Sequence, residues 1–79
     1  MNFSALKEGQ IAVVQAELST GIVLAPDGQR YLGSGDAFRT FDTLAEAQEF
    51  AQSVVTAKPE VECGLYDFGG AHVARITSK

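Results

Sequence analysis

The sequence predicts an α+β domain: an antiparallel sheet of about five strands, with one amphipathic helix, residues 43–57, packed on one face. Three observations predict it. Apolar residues recur at helical spacing in a single stretch, and short runs rich in Val and Ile recur on both sides of it. Turn residues separate those runs. The expected order is roughly β-β-β-(β)-α-β-β.

Ser4 to Glu8, followed by Gly9, can form one helical turn with Ser4 as cap and Gly9 as stop. Ile11 to Leu18 reads as a strand, and Ser19-Thr20-Gly21 breaks it as a tight turn or a bulge. Ile22 to Ala25 resumes extended structure. Pro26-Asp27-Gly28 then suits a three-residue hairpin loop: Pro presets φ, Asp bonds nearby amides and Gly takes a left-handed φ. If Ala25 faces Gln29, Val23 pairs with Tyr31 and Ile22 with Leu32, a register supported by apolar cross-strand pairs. Gly33-Ser34-Gly35-Asp36 is a connector, and Ala37 to Phe41 is a short strand.

The helix has the clearest boundaries. Thr43 and Glu46 form a capping box, in which each side chain satisfies the other residue's backbone amide. Leu44, Ala47, Phe50, Ala51, Val54 and Val55 fall within one arc, with Glu46, Gln48, Glu49, Gln52, Ser53 and Thr56 opposite. Lys58-Pro59 ends it, because Pro has no amide hydrogen and bars helical geometry at the residue before it.

Val61 to Asp67 alternates Val61, Cys63 and Leu65 with Glu62, Gly64 and Tyr66, as a half-buried strand does. Asp67-Phe68-Gly69-Gly70 fits a type I turn, and Ala71 to Ile76 returns as its partner. A three-residue loop pairs Leu65 with Val73. A two- or four-residue loop instead brings Ala74 and Ile76 onto the face of Leu65. The first register is expected here. The run Phe41-x-Thr43-x-x-Glu46-Ala47-x-x-Phe50-Ala51, with the following strand ending in Asp-x-x-Gly, resembles the helix-plus-hairpin half of assorted small bacterial domains. Those are cap, core and turn positions, so the resemblance implies a fold and no function.

Composition narrows the function classes. Seventy-nine residues make one domain, 1–79, and 46% apolar with 20% charged residues is ordinary for a folded chain. No apolar run reaches the roughly 18 residues of a membrane span, and the start has no basic or apolar leader, so no membrane segment or signal peptide is expected. The only cysteine, Cys63, excludes an internal disulfide and suits a reducing cytoplasm. Net charge is −4, and Lys7, Arg30, Arg39, Lys58, Arg75 and Lys79 stand singly, so no basic stripe favours nucleic acid.

No catalytic residue emerges. His72 is the only histidine, Asp67 is its one nearby acid, and no serine sits on a strand–turn–helix elbow. Cys63 alternates with core residues and should act as a small hydrophobe. One Cys, one His and scattered acids make no metal-ligand cluster, and Gly33 to Asp36 lacks the Lys and helix N-terminus of a phosphate loop. Neither metal nor cofactor is expected. The aromatics Tyr31, Phe38, Phe41, Phe50, Tyr66 and Phe68 lack the basic neighbours of a nucleic-acid stacking platform.

Coverage then argues for association. Five strands side by side span roughly 24 Å, whereas a helix is only about 10–12 Å wide. Strand 11–18 is apolar at both parities, so the helix-free face is not uniformly polar. Val14, Ala16, Leu18, Tyr66, Ala74 and Ile76 are the candidate interface. The expectation is a non-enzymatic association module, a homodimer formed through that face or an edge strand. The alternative is a protein, peptide or small apolar ligand bound on the same face.

Overall fold

A computed structural model describes residues 6–25, 29–31 and 38–78. They form β1 (Ile11–Glu17), β2 (Val23–Leu24), β3 (Phe38–Phe41), α1 (Leu44–Ala57), β4 (Val61–Asp67) and β5 (His72–Ile76). All pairings are antiparallel, β1 is central, and α1 packs on one face of the five-stranded sheet. This is the α+β class that the periodicities predict.

The sheet is narrower than five strands laid side by side. β4 flanks the whole of β1 on one side. On the other side β2 pairs with Gln15 and Ala16 while β3 pairs with Ile11 to Val14, so the two share one edge end to end. The sheet is therefore four strand positions across, about 14 Å from first axis to last. One helix covers most of that width, which removes the shortfall on the helix side.

Alternation along β1 divides its residues between two cores. Ile11 and Val13 face the helix with Cys63 and Leu65 of β4, and Ala47, Ala51 and Val55 of α1 close over them. These three helix residues lie four apart on one line, and the two alanines let the backbone approach the sheet closely. Phe41, Phe50, Val54, Ala74 and Ile76 flank this core. Leu44, expected in the same arc, is 38% exposed, because it occupies the first helical turn ahead of that line. On the helix-free face Ala12, Val14 and Phe38 form a second cluster. Leu6 packs into it from the segment before β1, and Val23 and Tyr66 lie against it.

Helix boundaries follow local chemistry. Thr43 is extended (φ −135°, ψ 154°), and its hydroxyl accepts the Glu46 amide at 3.1 Å. The reciprocal half of the box differs: the same hydroxyl donates to the Glu46 carboxylate, at 3.1 Å. At the other end the Lys58 amide bonds the Val54 carbonyl, and the Val61 amide bonds the Lys58 carbonyl, turning the chain at Pro59 into β4.

Three turn regions compare as follows. Residues 7–10 make a β-turn with Gly9 at φ +88°, where one turn of helix was expected; Ser4 and Ala5 lie outside the described residues. A left-handed glycine in the third position closes that turn and directs the chain into β1. The β1–β2 connection is a tight turn, with the Gly21 amide donating to the Glu17 carbonyl at 2.7 Å. Beside it the Thr20 hydroxyl, bonded at 2.7 Å, and then Arg30, at 3.4 Å, hold the Glu17 carboxyl below its usual pKa. Ala25 bonds Gln29 and Tyr31 bonds Val23 around a Leu24–Arg30 bridge, the expected register. Its Pro26-Asp27-Gly28 loop, Leu32, Gly33 to Asp36 and Ala37 lie outside the described residues.

The β4–β5 register is a correction. Asp67 and Ala71 bond across a three-residue loop, and Tyr66 pairs with His72, both as expected. A bulge at Val73 then shifts the ladder by one, so Leu65 pairs with Ala74 and Cys63 with Ile76. The extra residue turns Ala74 and Ile76 toward the helix, where they extend the core. Burial of those two apolar side chains outweighs the interrupted ladder.

Candidate interaction surface

The six residues expected to form an interface do not share a face. Val14 is buried in the second cluster, and Tyr66 packs half-buried against the same cluster. Ala16 is half-buried opposite Val23. Leu18 extends the β1–β4 pairing through its amide, bonded to the Glu60 carbonyl at 2.8 Å, and lines an open groove of about 550 Å³ with Ser19, Pro59 and Glu60. Ala74 and Ile76 lie on the helix side, against the main core. The bulge separates these two from the rest, and Val14 is buried in one cluster with Leu6, Ala12 and Phe38.

Among the described residues the exposed large apolar side chains are Ile22, Leu44, Phe68 and Val73, none of them in the expected interface. Phe68 is 52% exposed at the tip of the β4–β5 turn, and Val73 is 40% exposed at the bulge. Both belong to the hairpin whose second strand, β5, is one edge of the sheet, β2 and β3 forming the other. The tip is held firmly. The Asp67 carboxylate accepts the Gly69 amide at 3.0 Å and the Ala71 amide at 2.9 Å, while the Gly70 amide bonds the Asp67 carbonyl. Phe68 is therefore displayed from a preorganised loop. Its neighbours Asp67 and the two glycines signalled a turn; the outward side chain could have been suspected from that context.

Polar groups beside the edge are largely paired. Arg75 binds the Glu62 carboxylate across the strands at 2.6 Å. His72 meets the Tyr66 ring edge-on, with centroids 5.2 Å apart, and the Tyr66 ring covers Gly64, where an added Cβ would lie 3.0 Å from it. Asp67 is committed to its turn, and neither it nor His72 lines the groove at Leu18 or the second, shallow depression of about 360 Å³ beside α1. That depression is bounded by Phe41, Phe50, Glu46, Glu49 and Ser53. Phe41 and Phe50 stack at 5.1 Å, and Arg39 sits 5.4 Å from the Phe50 ring centre, an arrangement that packs the helix flank.

Cys63 is fully buried, its Sγ 4.0 Å from the Ala51 carbonyl. Burial, and secondarily the Glu62 charge, push its thiol up to about 11. It sits there as an uncharged packing group. Among the described residues no group of three or more His, Cys, Asp and Glu is placed to hold a metal ion, and no helix is long and apolar enough to cross a membrane.

Comparisons with protein-family models, with curated proteins and with solved structures give no match to this chain.

Proposed function

We propose that this chain is a small non-enzymatic association domain of the cytoplasm, which pairs reversibly with a second copy through the edge of β5 that no other described strand occupies. One observation carries the reading: among the described residues the most exposed large apolar side chain, Phe68, and the exposed Val73 both lie on the hairpin that ends in the edge strand β5. An outermost strand presents unpaired amides and carbonyls, and a second copy can satisfy them about a two-fold axis. Arg75 guards that edge less than a free cation would, because Glu62 already neutralises it. The lone free cysteine fits a reducing compartment.

The bulge shortens the regular stretch of edge, which favours a small, transient interface over an obligate one.

Sedimentation from micromolar to millimolar concentration tests this. The expected result is a concentration-dependent dimer, lost in Val73→Asp and weakened in Phe68→Ser, with amide shifts on dilution confined to residues 68–76. A monomer throughout, with unmoved β5 amides, overturns it. If those amides move only when an extended peptide is added, the edge accepts a peptide strand instead.

A further inference from the structure

We draw no further inference here: the strongest candidate outside the β5 edge, the open groove lined by Leu18, Ser19, Pro59 and Glu60 between the β1–β2 turn and the α1–β4 connection, carries nothing, because nothing in the structure shows what covers it.

Discussion

Cys63 and Thr43 show how single side chains set stability here. In the folded chain the Cys63 thiol is raised to about 11 from its ordinary 9.0, so the unfolded chain loses this proton first as pH rises. The folded state then holds more protons than the unfolded one, and stability falls between those two values; the full contribution is present below the lower one. Two pKa units correspond to roughly 2–3 kcal/mol. Urea titrations at pH 8.5 and pH 10.5, which span only part of that window, should show a drop that is smaller by about 1.5–2 kcal/mol in Cys63→Ala. An equal drop in both proteins would disprove the assignment. Thr43→Ala should cost about 1 kcal/mol by freeing the Glu46 amide, with Thr43→Ser largely neutral. For a domain of this size the alanine variant should melt about 4–8 °C lower by circular dichroism. Both roles were visible in the residue order: a cap at the start of an apolar helical arc, and a thiol in register with Val61 and Leu65.

The β4–β5 hairpin determines most at the level of elements. Its turn residues and its Tyr66–His72 pair follow from Asp-x-x-Gly chemistry, which acts over four residues. The Val73 bulge does not, because it reflects a contest between ladder continuity and burial of Ala74 and Ile76 under a helix distant in sequence. Deleting Val73 should leave the Leu65–Ala74 and Cys63–Ile76 pairs intact and straighten the edge. The expected outcome is a folded protein with slower amide exchange in β5. Loss of the folded spectrum would mean the bulge is needed for the fold. Gly70, at φ +83°, is a stricter case. Gly70→Ala should destabilise by about 1–2 kcal/mol, since a Cβ is disfavoured in left-handed backbone. A melting temperature unchanged from wild type would contradict that.

For the molecule as a whole, two unequal cores flank one sheet. Leu65 is completely buried at the centre of the larger core, and Leu65→Ala should cost about 2–5 kcal/mol. That is a large share of a total on the order of 4–12 kcal/mol for a chain of this length. Val14→Ala, in the smaller cluster, should cost about 1–2 kcal/mol. Chemical denaturation of the two variants measures both, and equal losses would show that the second cluster is as deeply packed as the first. Having the β2 and β3 strands share one edge of β1 is what makes the single helix sufficient on its side.

The amino-acid order by itself determined the strands and the one helix, the Thr43 cap and the stop at Lys58-Pro59, the β2 hairpin register and the inward parity of Val61, Cys63 and Leu65. Each of these depends on residues within a few positions of one another, where propensity, capping and turn geometry act directly. Tertiary structure alone decided that β2 and β3 would line up end to end, that Leu6 would join the cluster of Val14, and that the β4–β5 ladder would bulge at Val73. Those outcomes depend on which distant surfaces meet and on the apolar area their meeting removes from water, quantities no local pattern encodes.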